Sequence, residues 1–379
     1  MSSDMDVVEE TFENIPTGVE VELNDGASDE PNPWNPDAIR VSTKTFSLRN
    51  ILDLIDDKDL ELAPDFQRNR VWKSRQKSRL IESVLLQIPL PAFYFAEDTN
   101  GMMRVIDGLQ RLSTVHDFVR QKAYVLTDLE YLDSVKGHRF DELPAAMQRR
   151  INNAQIVVHV IDPTTPAGVK YDIFKRINTG GSPLTGQEIR HCMSTARSRD
   201  FLRRCAQTRE FELATNGNLV NHIRMDDREV VLRYCAFRHL GIDGYAEAGS
   251  IDAFLEKMTA QLDSSEVISD LALDRLFADF RAAMTKSYSV FGEHAFRKWP
   301  RGVEGRWPIN RPLFETWSYV LSGFSQEDLI ARKEAIVEAA RNLMTDDREY
   351  IDAITAGTGS VAKVKLRFER TERAAQAGL

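Results

Sequence analysis

The chain has 379 residues, 42% of them apolar and 28% charged, which is enough for two domains with real cores. No run approaches the ~18 to 20 uninterrupted apolar residues of a membrane span, and the basic-then-apolar layout of a secretory signal is absent, so a cytoplasmic protein is expected. The net charge of -9 is local: residues 1 to 30 hold ten acids and no Lys or Arg, and the other 349 residues carry 48 acids against 49 bases.

The first 38 residues are rich in Asp, Glu, Ser, Asn and Pro and poor in apolar side chains, too few to offset the entropy of ordering. They are expected to form a disordered acidic tail. Its role is that of a solubilising leader or of an anionic segment that screens a basic groove on its own domain.

"VSTKTFSL" alternates as a strand and "LRNILDLIDD" reads as a short helix. In "PDFQRNRVWKSRQKSR", 64 to 79, six cations stand against the single acid Asp65. Arg68 and Arg70 precede Trp72 in an extended piece and are candidate phosphate ligands. Lys73, Arg75 and Lys77 are candidates for contact with a DNA backbone, or else the solvated face of the helix that follows. That helix takes its apolar face from Leu80, Ile81, Val84 and Leu85 and is stopped by Pro89 and Pro91.

"AFYFAED" and "MMRVID" are strands joined through "TNG", whose Asn-Gly pair is a strong hairpin signal. The second strand ends at Asp107, and Leu112, Val115, Phe118 and Val119 then recur at helical spacing. Gly108 permits the tight turn, and Gln110 and Arg111 fall in the first helical turn, where unpaired backbone N–H groups attract anions. In this arrangement Arg111 would hold phosphate oxygens, Gln110 would hydrogen-bond ligand or backbone, and Asp107 would orient Arg111 or bind magnesium. The plainer alternative is that Asp107 caps the helix and Arg111 pairs with a neighbouring acid.

"AQIVVHVID", 154 to 162, is a further buried strand, and "YDIFKRIN" and "LTGQEIR" are helices around a glycine-containing break. Gly181 to Gly186 has the glycine spacing of a P-loop, but Gln187 and Glu188 replace the required Lys and Ser or Thr, which excludes one. From about 195 the pattern is that of long amphipathic helices, "REVVLRYCAFRHL", "IDAFLEKMTAQL" and "DLALDRLFADFRAAM". Asp226 and Glu229 fit a capping box there. "VKLRFER", with Gly357 and Gly359 before it, reads as a glycine-rich loop and one last strand that would return to the first domain. Cys192, Cys205 and Cys235 lie far apart with no C-x-x-C pair, which argues against disulfides and zinc and for free buried thiols.

Four ordered motifs, "PDFQRNRVW", "LIESVLLQIPLP", "VIDGLQRL" and "FKRINTGGSPLTGQEIR", make residues 43 to 195 resemble the domain-of-unknown-function family that forms the N-terminal half of GmrSD-type modification-dependent restriction enzymes. The resemblance implies an α+β protein, with a ParB/sulfiredoxin-like mixed sheet-and-helix domain over 39–195 and an α-helical domain over 196–379. It also implies a site for a nucleoside triphosphate and Mg2+. By it the family's D-G-Q-Q-R motif falls on Asp107, Gly108, Leu109, Gln110 and Arg111, its F-x-x-x-N motif on Phe174 and Asn178, and its ligand arginines on Arg68 and Arg70. Asp107 and Asn178 would hold the metal.

Leu109 stands where the family often has Gln, which removes one polar contact, and Gly181 stands where the ParB pattern has an Arg, so one phosphate contact must come from elsewhere or be missing. The His-Asn-His nuclease module of the two-part enzymes is not found in the sequence after residue 195. The expectation is a triphosphate-binding and hydrolysing regulator of DNA processing in a bacterial restriction or phage-defence protein, working with DNA and with a separate nuclease or defence partner. The alternatives are a non-catalytic DNA-binding or adaptor protein and a ParB-like nuclease.

Overall fold

The computed structural model describes residues 7–12, 14–23, 39–62, 72–98, 100–177 and 184–379. The chain divides into two compact units, Pro33–Met193, and Met1–Asn32 together with Ser194–Leu379. The hairpin of β1 (Glu9–Phe12) and β2 (Ile15–Glu20) opens the chain and belongs to the second of these.

The Pro33–Met193 unit is built on β3 (Val41–Ser47), β4 (Leu60–Glu61), β5 (Phe93–Glu97), β6 (Met103–Asp107) and β7 (Gln155–Ile161), in the order β3-β7-β5-β6-β4. The sheet is mixed: β3 and β7 are antiparallel, β7 and β5 parallel, β5 and β6 antiparallel, β6 and β4 parallel. Its helices are α1 (Leu48–Asp56), α2 (Ser74–Leu85), α3 (Leu109–Val119), α4 (Ala145–Asn153), α5 (Ala167–Ile177) and α6 (Gly186–Met193).

Alternation decides which face is covered. Phe93 and Phe95 of β5, Val105 of β6 and Val158 and Val160 of β7 point into one core with Ile51, Ile81 and Leu112. Ser47 Oγ accepts from the Asn50 N–H at 3.2 Å and starts α1 where the strand stops. Thr185 and Glu188 form a reciprocal capping box, 3.1 and 2.7 Å, that opens α6.

The "LIESVLL" segment turns out to anchor a loop. Glu82, buried on α2, accepts the N–H groups of Glu130, Tyr131 and Leu132 at 3.0, 2.7 and 3.0 Å, and Ser78 one turn earlier accepts from Thr127 at 2.9 Å. Burial raises the Glu82 pKa, but the three N–H groups outweigh it and hold the carboxyl below its ordinary range.

The other unit is helical: α7 (Ala196–Ala206), α8 (Arg209–Thr215), α9 (Asp226–Ala248), α10 (Ile251–Asp263), α11 (Asp270–Phe291), α12 (Arg311–Ser322), α13 (Gln326–Ala331), α14 (Lys333–Asp346), α15 (Arg348–Ala353) and α16 (Val361–Ala375). Its core is aromatic, with Phe237 packed on Tyr245, Phe254 and Phe368. All three cysteines are free and buried, as expected.

Three expectations are corrected in this unit. The "VKLRFER" segment is part of helix α16, not a strand. Val364, Phe368, Thr371 and Ala375 are buried at helical spacing, and Arg367, which alternation would place outside, is 1% exposed because it pairs with Glu315 and donates to the carbonyl of Thr358.

The acidic N-terminal segment is ordered over residues 7–12 and 14–23, against the expectation of disorder to residue 38. Glu20 lies 2.5 Å from Lys298 Nζ, Glu10 accepts from Arg311 at 2.9 and 3.1 Å, and Glu22 accepts from Arg233 at 2.7 and 3.2 Å, while Val19 is fully buried among the helices. Composition counted these acids as solvated charge, but their cations stand more than 200 positions along the chain. The rest of the expected tail, residues 1–6, 13 and 24–38, lies outside the described residues.

Asp226 and Glu229 make no capping box: Met225 precedes the helix with φ 61°, Asp226 pairs with Arg311 and with His222 at 3.0 Å, and Glu229 accepts from Arg233 at 2.8 Å. Buried cations recruit these carboxylates away from the helix terminus.

Candidate functional site

The turn from β6 into α3 is shaped by Gly108, whose φ of 98° is left-handed and whose missing Cβ would lie 2.2 Å from Cδ1 of Phe93. With glycine as N-cap, no side chain satisfies the first N–H groups of α3. Asp107, expected as a possible cap, does not serve as one.

Instead, Asp107 Oδ2 accepts from Arg111 Nη2 at 2.9 Å, one helical turn along. The same guanidinium donates to the carbonyl oxygens of Ala92, at 3.2 Å, and Pro91, and stacks 4.1 Å from the centre of the Phe93 ring. Burial lowers the Arg111 pKa, and Asp107 opposes it. Arg111 thus clamps the start of β5 to the start of α3 and fixes Asp107.

The exposures follow from this: 12% for the Arg111 side chain and 38% for that of Asp107. The second oxygen of Asp107 takes no hydrogen bond among the described residues, and neither does the half-buried Gln110 side chain. The outward-facing group at this turn is the carboxylate, held from behind by the cation.

Strand register extends the site. Tyr94 stands opposite Asp107 on one side and His159 on the other, and Thr43 stands opposite His159. A shift in register between Tyr94 and Phe95 lets Ile106 bulge, which brings Asp107 onto the face that carries Tyr94. His159 Nδ1 lies 3.0 Å from Thr43 Oγ1, and its ring centre is 4.8 Å from that of Tyr94. Sequence reasoning missed Tyr94 and His159. Each holds an outward parity position in its strand, but which outward residues become neighbours depends on strand order.

The other expected site residues divide into two groups. Arg68, Arg70 and Asn178 lie outside the described residues, while Phe174 of the same motif is buried on α5. Lys73 and Arg75 are exposed at the start of α2, whereas Lys77 turns to Asp117, at 3.1 Å, and lies over the Tyr124 ring.

Among the described residues no group of three or more His, Cys, Asp or Glu side chains could cage a metal. A lone carboxylate with one uncommitted oxygen fits magnesium, which keeps its waters and is commonly held by one or two carboxylates and substrate phosphates.

Residues 51–194 match the GmrSD restriction endonuclease N-terminal domain. The match to this GmrSD domain covers almost all of the sheet-bearing unit, including the Asp107–Arg111 turn, and stops where the helical unit begins. No curated protein matches the chain. Among the described residues no helix is long and apolar enough to cross a membrane.

Proposed function

We propose that the sheet-bearing unit binds a nucleoside triphosphate at the turn from β6 to α3 and hydrolyses it, as a sensor or regulator of DNA processing in a restriction or phage-defence protein. The observation that carries this reading is the Asp107 carboxylate, braced by Arg111 and left with one free oxygen beside the uncapped start of an 11-residue helix. The match to a restriction-endonuclease domain supports the setting.

In this reading the N–H groups of Leu109, Gln110 and Arg111 receive phosphate oxygens, helped by the helix dipole. Water attacks the γ-phosphate in line, and catalysis comes from positioning and charge neutralisation. Gln110 orients the ligand, and Asp107 and Asn178 are the residues that would hold magnesium. The metal, when bound, supplies positive charge to the phosphate oxygens. Arg68 and Arg70 are further candidate phosphate ligands.

Lys73 and Arg75 favour contact with DNA as well: they sit exposed at the positive end of α2, where the dipole disfavours cations unless an anion is nearby. A separate nuclease or defence protein is the partner proposed to act on the signal.

The test is phosphate release from each of the four ribonucleoside triphosphates with magnesium, with and without plasmid DNA, comparing wild type with Asp107→Asn. Loss of release in a folded variant supports the reading. Salt-sensitive DNA binding with no affinity for any nucleotide would favour an adaptor instead.

A further inference from the structure

We propose that Tyr94 and His159 form the nucleoside end of the triphosphate site, so that the ligand runs across the sheet from the Asp107 turn over β5 to β7. This inference rests on the nucleotide reading above and adds the residues that would distinguish a nucleotide from its bare phosphate chain.

From Asp107 a ligand can extend toward β4 or toward β7. Toward β4 stands Arg104, already paired with Glu61 at 3.1 Å and with Asp98 at 3.4 Å, and these carboxylates oppose a further anion. Toward β7 the row is aromatic and hydroxylic and carries no carboxylate: Tyr94, His159 and Thr43, with Val41 and Val157 43% and 42% exposed on the same face.

Neighbouring strands lie ~4.8 Å apart, so two steps place His159 about 10 Å from Asp107, far enough to separate the terminal phosphate from the sugar and base.

The contact with Thr43 fixes the imidazole, and neither Nε2 of His159 nor the hydroxyl of Tyr94 takes a hydrogen bond among the described residues. The pair therefore presents two polar tips and adjoining ring surfaces, a combination that suits a ribose hydroxyl and a base face.

The experiment compares the affinities of the full chain for each of the four ribonucleoside triphosphates and for inorganic tripolyphosphate, by calorimetry. The proteins are wild type, Tyr94→Leu, His159→Ala and the ring-preserving Tyr94→Phe, each checked by circular dichroism. The proposal expects Tyr94→Leu and His159→Ala to weaken the preferred nucleotide at least fivefold and to leave tripolyphosphate within twofold, with Tyr94→Phe closer to wild type.

Equal weakening of both ligands, or no change in either, overturns the assignment while leaving the nucleotide reading in place. A wild-type protein that binds neither ligand overturns both. Loss of single-stranded DNA binding with nucleotide affinity unchanged overturns it in favour of a nucleic-acid surface.

Discussion

Arg111 holds Asp107 across one helical turn, 2.9 Å from Nη2 to Oδ2, and turns its remaining contacts to the carbonyls of Pro91 and Ala92 and the ring of Phe93. The two residues therefore fail in different ways. Arg111→Ala leaves two carbonyls and a carboxylate without their donor and should lower stability by about 2 kcal/mol, read from urea denaturation, whereas Asp107→Asn should change it by less than about 1 kcal/mol. An activity loss in Arg111→Ala is thus ambiguous, and the loss in Asp107→Asn is the informative one.

Gly108 is required by both backbone and space. Gly108→Ala places a methyl group 2.2 Å from a Phe93 ring carbon at a left-handed φ, and should cost about 3 kcal/mol. Adding Phe93→Leu to that variant should recover part of the loss; simple additivity of the two changes would show that the clash is not what costs stability.

The N-terminal hairpin is a structural part of the helical unit. The Lys298 side chain is 0% exposed and sits 2.5 Å from Glu20, which also accepts from Asn310 at 3.1 Å. Lys298→Met alone strands a buried carboxylate and should destabilise by about 3 kcal/mol, while Lys298→Met with Glu20→Gln should recover much of this. A double-mutant cycle on thermal denaturation measures the coupling.

Acid and neutral pH act on this unit through different groups. Burial pushes the Glu22 carboxyl up, but Arg233 and Arg311 overcome that and bring it from 4.5 to about 2, so its contribution is present above pH 4.5 and is lost as pH falls toward 2. Asp227 is the reverse. Burial raises it from 3.8 to about 6 against the pull of Arg228 and His222, so the native state binds its proton more tightly and stability declines as pH rises from 3.8 through 6. Asp227→Asn should therefore have a higher Tm than wild type at pH 7, with the difference vanishing near pH 4.

Much of the sheet-bearing unit was legible because period and turn chemistry agree there. "AFYFAED", "TNG" and "MMRVID" became the β5–β6 hairpin, and Leu112, Val115 and Phe118 became the buried face of α3. The two-residue β4 has no period to read. The α16 segment was misread because Arg367 is buried by a pairing with Glu315, and the β1–β2 hairpin was missed because its acids find their cations far along the chain.

The site divides along the same line. Asp107 and Arg111 are an i, i+4 pair and were visible in one motif. Tyr94 and His159 meet only through a parallel pairing of β5 with β7, which a single sequence does not display.

Phosphate release by wild type and Asp107→Asn tests the proposed hydrolysis of a nucleoside triphosphate at the Asp107 turn. Magnesium-dependent release is expected from at least one of the four ribonucleoside triphosphates, reduced at least tenfold in a variant whose Tm stays within a few degrees of wild type. Release that survives Asp107→Asn unchanged, or a folded wild-type protein that releases no phosphate from any of them with or without DNA, would contradict it.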